Sequence, residues 1–492
     1  MLAAAKELAR GMFGRGAAGD AGAARGRHIA SNILAQFGAR AITMLLSVVT
    51  VSLVARGLEP AYYGVWTGTS SFVGLFGVVT DLGFTIAATQ RMAAEPQREA
   101  EWLGALVVVR LLTSVVVTLV CVASIPLLLG SVRHTRLVAV IFSLNTLWAA
   151  TTAVLVVFQT RLRGGLALSF TVLQGGLWLA AVVVLYATNA SIVAFAIANT
   201  TVVALVAAGA VAFTSRRVHV AWRAGIGLSR DLVRKAIPLG LASVLITIYF
   251  QVDSVLLLGI AGPREAGIYG AAYGFLGPLT FLPAAVMSSF FPVLSAVLGP
   301  DPERGRRLVQ ACAELMGVIG LPVLAGSIAL SGPLVHLIFG STFAAAGGLL
   351  PILMIAFVSI CFGSLAGFLA PLLGLQWRLA IYSGIGAGAN VVLNLILIPS
   401  YGAHGSAWAT VATELLTMLL MLSTALRRLR LAPAPWRLAR TVLLAGAMTA
   451  VMLLSRGLGL LPAGILGVAF YAAGLFLLGI VRPSQLRALA GA

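Results

Sequence analysis

Charge is the scarcest thing in this sequence. Asp, Glu, Lys and Arg make up 10% of its 492 residues, against about 25% in soluble domains. Acids are the smaller share, 14 against 33 basic residues, and only Lys6 and Lys235 are lysines. So little charge excludes a soluble globular fold. The three cysteines, Cys121, Cys312 and Cys361, lie inside apolar runs. There cysteine acts as a small hydrophobe, which excludes a disulfide framework. The five histidines are scattered, so no metal site is expected. No glycine loop ends in Lys-Ser or Lys-Thr, which excludes a nucleotide-driven motor within the chain. No cofactor is expected. The longest polar stretch is about 22 residues. A membrane glycosyltransferase or polymerase would carry larger loops, so the chain is not expected to be an enzyme.

Apolar sequence fills the space. Hydrophobic residues are 60% of the chain and the mean hydropathy is +1.03. The runs are about 20 residues long and apolar all round, the length an α-helix needs to cross a bilayer. A membrane barrel would instead alternate over about ten residues. The fold class is an all-α polytopic membrane protein. About fourteen spans are expected, roughly at 29–54, 64–89, 102–129, 137–158, 166–187, 191–213, 236–260, 267–298, 308–331, 347–372, 379–399, 403–425, 440–458 and 463–481. With the N-terminus inside, 26 of the 33 Lys and Arg fall on the inner side and five on the outer. That bias is the positive-inside rule. It places both termini in the cytoplasm and explains the net charge of +19 without nucleic acid. Arginine-heavy, Ala/Gly-rich usage suggests a GC-rich bacterial genome, and the expected location is the bacterial inner membrane.

The chain repeats itself. A basic tail at 1–28 leads into an apolar span, then Arg56-Gly57-Leu58-Glu59-Pro60, then Gly64-Val65-Trp66. The basic stretch 214–235 leads into a second apolar span, then Gly262-Pro263, then Gly267-Ile268-Tyr269. The expected plan is an N-lobe at 29–213, a basic cytoplasmic linker at 214–235 and a C-lobe at 236–425. Each lobe has six helices, and 426–492 adds a basic loop and two more. A repeated bundle of this kind is the usual build of a secondary transporter. Pro238 interrupts the start of the seventh span, and Pro278 and Pro283 should bend the eighth. These three are hinge candidates, equally consistent with static bends. The stretch 332–346, too apolar for a free loop, should fold back on the helices.

Ionisable groups inside spans are costly and are therefore functional candidates. Arg40 lies near the middle of the first span. Arginine stays charged and offers paired donors to phosphate oxygens, so Arg40 is a candidate contact for an anionic substrate. Asp81 and Arg110 fall in the inner thirds of adjacent spans, as cavity groups or as a structural pair. Asp253, in the outer third of the seventh span, and Glu414, mid-span in the twelfth, are candidates for ion or proton coupling. Gln36, Gln159, Gln174, Asn390 and Asn394 read as ordinary interhelical contacts.

Arg56 to Trp66 (RGLEPAYYGVW), Asp81-Leu82-Gly83, Asp253 to Tyr273 and Asn394 to Thr410 resemble one family. This is the polysaccharide-biosynthesis, O-antigen-flippase-type branch of the multidrug/oligosaccharidyl-lipid/polysaccharide exporter superfamily. The resemblance implies two lobes around a central cavity, with alternating access driven by an ion gradient. It implies as substrate a polyprenyl-pyrophosphate-linked oligosaccharide, with Arg40 serving its head group. Polysaccharide polymerase and glycosyltransferases would be partners, beside the membrane lipids. The lipid II flippase branch matches less well, because its arginine-rich first-helix start is missing. A cation-coupled drug exporter and a non-transporting scaffold of a glycan assembly complex remain alternatives.

Overall fold

The structure is a computed structural model. It describes the backbone of residues 20–128, 133–160, 164–431 and 435–480, with side chains from Ile42 onward except at scattered positions. Among the described residues there is no strand. Eleven helices are long and apolar enough to cross a membrane, and the helix over Leu438–Leu454 is shorter. Two of the eleven carry one non-helical residue each, Glu59 and Gly402. Each of these two broken helices runs through a pair of the expected spans.

The chain divides into two compact units. One takes in the described residues up to Gly57 and Thr69–Thr247; the other takes in Leu58–Gly68 and the described chain from Ile248 on.

The first unit holds α1 (Asp20–Asp81) up to Gly57 and from Thr69. It continues with α2 (Phe84–Ala94), α3 (Glu99–Leu128), α4 (Arg133–Thr151), α5 (Val156–Thr160), α6 (Gly164–Ala187), α7 (Ile192–Ser215) and the start of α8 (Trp222–Ile260). Helix α1 already includes residues 20–28, read above as tail; residues 1–19 lie outside the described residues. The chain turns at Leu82 and Gly83, both at positive φ, before α2 begins. The core is apolar, built around Trp102, Leu103, Leu106 and Phe158.

The basic stretch 214–235 is not a free linker. Its helix starts at Trp222 and runs past Pro238 without interruption, which corrects the expected break there. The Pro238 side chain lies outside the described positions. Arg91 donates to Glu95 at 2.8 Å and to Asp231 of this stretch at 2.6 Å. The Trp102 indole donates to Glu95 at 3.1 Å, and Arg91 lies 5.0 Å from the Trp102 ring. Gly104 and Gly225 pack backbone to backbone. The stretch is thereby fastened to the corner between α2 and α3.

The second unit completes α8 and adds α9 (Pro263–Tyr273), α10 (Leu276–Val297), α11 (Pro302–Phe339), α12 (Ala346–Leu372), α13 (Gln376–Leu429), α14 (Pro435–Leu454) and α15 (Leu460–Leu477). The expected eighth span is divided at Gly274–Phe275 into α9 and α10. Pro278 explains the division: it cannot donate to the Gly274 carbonyl four residues back, and its ring crowds that carbonyl. Pro283 and Pro292 lie inside α10. Helix α11 reaches Phe339, past the expected end of the ninth span. The connection folding back is thus only Gly340–Ala345, with Phe343 buried against Tyr63. The last two helices pack on α11 through Ala325, Ala329, Met448, Ala463 and Tyr471.

Leu58–Gly68 explains the repeat in physical terms. Glu59 has φ 59° and ψ 168° ahead of Pro60, and Gly262 has φ 91° and ψ 175° ahead of Pro263. Proline is favoured at the first helical position, where its missing N–H costs nothing. Four residues on come Gly64 and Gly267. A side chain on Gly64 would strike the Pro263 carbonyl, and one on Gly267 the Pro60 carbonyl. The two copies cross at their glycines, each against the other's first helical turn.

Candidate functional site

Asp253 is 2% exposed, and two neighbouring helices of the second unit bring polar side chains to it. Asp253 sits on α8. Its Oδ2 accepts from the Tyr269 hydroxyl of α9 at 2.8 Å and from the Thr410 hydroxyl of α13 at 2.9 Å. Its Oδ1 accepts from Asn394 Nδ2 at 2.8 Å. Asn394 Nδ2 also lies 3.2 Å from Asn390 Oδ1, and the Ser406 hydroxyl donates to Asn394 Oδ1 at 2.8 Å. Tyr269, Asn390, Asn394 and Ser406 are each fully buried. Three hydrogen bonds thus converge on one carboxyl group.

The backbone break at Gly402 makes this possible. It lets α13 double back, so that Asn390 and Asn394 on one arm face Ser406 and Thr410 on the other. Glu265 fixes the turn: its Oε2 accepts from the Ala403 N–H at 2.9 Å and fills the space beside Gly402. Glu414 lies one turn beyond Thr410, 7% exposed, and the Tyr249 hydroxyl donates to the neighbouring Thr413 hydroxyl at 3.4 Å.

Sequence reading found Asp253 and Glu414 but treated Asn390 and Asn394 as ordinary contacts. It missed Tyr269, Ser406 and Thr410. The missed signal was spacing. Asn390 and Asn394 are four apart, and Ser406, Thr410 and Glu414 continue at intervals of four, each set lying on one helical face.

The first unit holds Arg110, 9% exposed. Its Nη1 is 3.6 Å from Asp81 Oδ1 and 3.4 Å from the Thr85 hydroxyl, and its buried Nε has no partner. Asp81 Oδ1 also accepts from the Thr85 N–H at 3.2 Å and the Thr85 hydroxyl at 2.5 Å. It therefore caps the start of α2, where unpaired N–H groups and the helix dipole favour a negative charge. The structure brings Arg110 and Asp81 together. Arg40 lies in α1, but its side chain is outside the described positions. Pro278 and Pro283 lie in α10, away from these groups in the chain.

The polysaccharide biosynthesis protein family matches residues 29–298, more than half of the chain. The chain belongs to this family. The match includes both glycine-crossing segments, Asp81, Arg110 and Asp253. A curated relative, "Probable flippase AglR" of Haloferax volcanii, is 26% identical over 208 residues. That alignment covers 42% of the chain and 44% of the relative's own length. Among solved structures, lipid II flippase MurJ in an inward closed conformation aligns with a TM-score of 0.73 at 16% identity. It covers 90% of this chain and 97% of its own. An inward-facing multidrug resistance transporter of the MATE family aligns with a TM-score of 0.63 at 17% identity, covering 79% and 94%. The family member thus has the all-α fold of these transporters.

The Asp253 centre can be tested against the cations it could hold. Among the described residues, no group of three or more His, Cys, Asp or Glu is placed to hold a metal ion. The groups that face Asp253 are hydrogen-bond donors: two hydroxyls and the Asn394 amide nitrogen.

Proposed function

We propose that the protein is a flippase for a polyprenyl-pyrophosphate-linked oligosaccharide. It moves this lipid from the cytoplasmic to the outer leaflet of a bacterial inner membrane, for surface polysaccharide biosynthesis. Both termini face the cytoplasm. Transport is by alternating access, coupled to a monovalent cation or proton gradient at Asp253. Polysaccharide polymerase and glycosyltransferases act before and after it.

The observation that carries this reading is the buried Asp253 carboxylate with its hydrogen-bond donors. An acid at membrane depth is retained at a cost. This one is preorganised by residues from α8, α9 and both arms of α13, so its charge state bears on all three helices. Arg110 supplies the opposite charge in the other unit. Its unpaired Nε and loose ion pair suit a guanidinium that exchanges Asp81 for a pyrophosphate oxygen. Family membership, the printed name of the archaeal relative and the fold shared with a lipid II flippase support the substrate class.

The test is mass spectrometry of lipid extracts after depletion of the protein. The expected result is accumulation of a polyprenyl-pyrophosphate oligosaccharide while the matching surface glycan falls. An unchanged lipid pool with intact surface glycan, joined by new sensitivity to toxic cations, would instead identify a drug exporter.

A further inference from the structure

The first unit has a groove of about 440 Å³ at the end of the bundle that carries the basic stretch. Its lining includes Leu111 of α3, Val154 ahead of α5, Val211 and Ser215 of α7, and His219 and Trp222 beyond α7. Val154 is buried, whereas Leu111, Val211 and Trp222 are exposed, and so are Ser215 and His219. No acid lines the groove. The groove also has a direction. The Ala221 N–H donates to the Ala100 carbonyl at 3.1 Å, so Ala100 marks the level of the polar end. Leu111 lies eleven residues further along α3, about 16 Å at 1.5 Å per residue. That is the depth of one leaflet of a bilayer core about 30 Å thick. Trp222 stands at the polar end, and tryptophan favours headgroup level. Charge follows the same axis. Arg216 comes directly after Ser215 and Arg223 directly after Trp222; both are exposed and have no ion pair among the described residues. Arg217 is already committed, donating to the Phe213 carbonyl at 3.3 Å and lying over the Phe213 ring. Asp231, the one acid of 214–235, is taken by Arg91 and Lys235.

We propose that this groove holds one acyl chain of an anionic membrane phospholipid, with the lipid phosphate beside Arg216, His219 and Arg223. The site is separate from the cargo and does not depend on what the protein transports. Apolar walls alone give no preference in a bilayer, because lipid tails are equally apolar. Preference comes from the end of the groove that meets the headgroups. A guanidinium offers paired donors to phosphate oxygens, and each basic side chain close to an anionic leaflet favours it about fivefold. Two arginines, with no acid in the lining to oppose them, select a headgroup of net negative charge over a zwitterionic one, whose own cation they repel. A lipid seated here fills the space between α3, α7 and the start of α8. It braces the basic stretch against the bundle.

The experiment is native mass spectrometry of the full chain in detergent, titrated with phosphatidylglycerol or with phosphatidylcholine. Wild type is expected to hold one phosphatidylglycerol about tenfold more tightly than phosphatidylcholine. Arg216→Gln and Arg223→Gln should each lower phosphatidylglycerol affinity about fivefold and leave phosphatidylcholine within twofold. Val211→Trp and Leu111→Trp fill the groove from exposed positions, and each should weaken both lipids. Arg230→Gln is the control: Arg230 is also exposed and without an ion pair among the described residues, two turns further along α8. It should change neither lipid. Equal wild-type affinity for the two lipids, or no phosphatidylglycerol bound, would overturn the proposal. A loss in Arg230→Gln as large as in Arg223→Gln would also overturn it, by showing a generally basic face. Unchanged phosphatidylglycerol binding in both filled variants would do the same.

Discussion

Each unit buries one ionisable centre, and the two are finished to different degrees. Both Asp253 oxygens are bonded, by a tyrosine of α9 and by a threonine and an asparagine from the two arms of α13. Arg110 has one ion pair at 3.6 Å, one hydroxyl at 3.4 Å and an Nε with no partner. Its partner Asp81 is already committed to the start of α2. A carboxylate this well supported is suited to holding something small in a fixed place. A guanidinium this loosely held is suited to changing partners. In the proposed function this contrast suits the second unit to the coupling ion and the first unit to the anionic cargo.

The strongest attack on this division is Asp253→Asn, which keeps the shape and removes the charge. Cation-driven transport in proteoliposomes is expected to fall to background, while affinity for the lipid-linked substrate changes less than twofold. If substrate affinity fell instead, the two centres would not be separate in role.

Arg110→Ala should do the reverse. Affinity for a pyrophosphate-linked lipid is expected to fall about 10- to 100-fold, in line with the roughly 1.5–3 kcal/mol of a hydrogen bond to a charged group. Arg110→Lys should restore only part, because an ammonium lacks the paired planar donors. Equal affinity in both variants and the wild type would show Arg110 to be a structural partner of Asp81.

Asp81→Ala tests the cap. A loss of about 1 kcal/mol in thermal or denaturant stability is expected, and Asp81→Asn, which keeps an acceptor, should lose less. Transport by Asp81→Asn should stay within a fewfold of wild type. A collapse of transport would make Asp81 a cargo contact rather than a cap.

Tyr269→Phe is the mildest of the four. Thr410 still reaches the same carboxylate oxygen, so a loss of about 1 kcal/mol, or roughly fivefold in apparent cation affinity, is expected from a titration of transport against cation concentration.

Sequence reading reached the fold class because bilayer-length apolar runs leave no other choice. It reached the repeat because Gly-Pro and Glu-Pro turns recur at a fixed distance from a glycine. It could not place the helix start at Trp222, since a helix that leaves the bilayer continues in amphipathic sequence with no hydropathy signal. The Asp253 centre was half legible. A lone acid in an apolar span is conspicuous, but Tyr269, Thr410 and Ser406 are unremarkable until the reversal at Gly402 brings them alongside.

The glycine crossing has a consequence for how the protein is made. Leu58–Gly68 belongs to the second unit, yet Gly64 leaves the ribosome about 200 residues before Gly267. At roughly 5–20 residues per second, its partner turn is missing for about 10 to 40 seconds. During that interval the Pro60 carbonyl and the bare glycine face have nothing of their own to pack on. Biogenesis therefore passes through a stage in which the early turn waits on the late one.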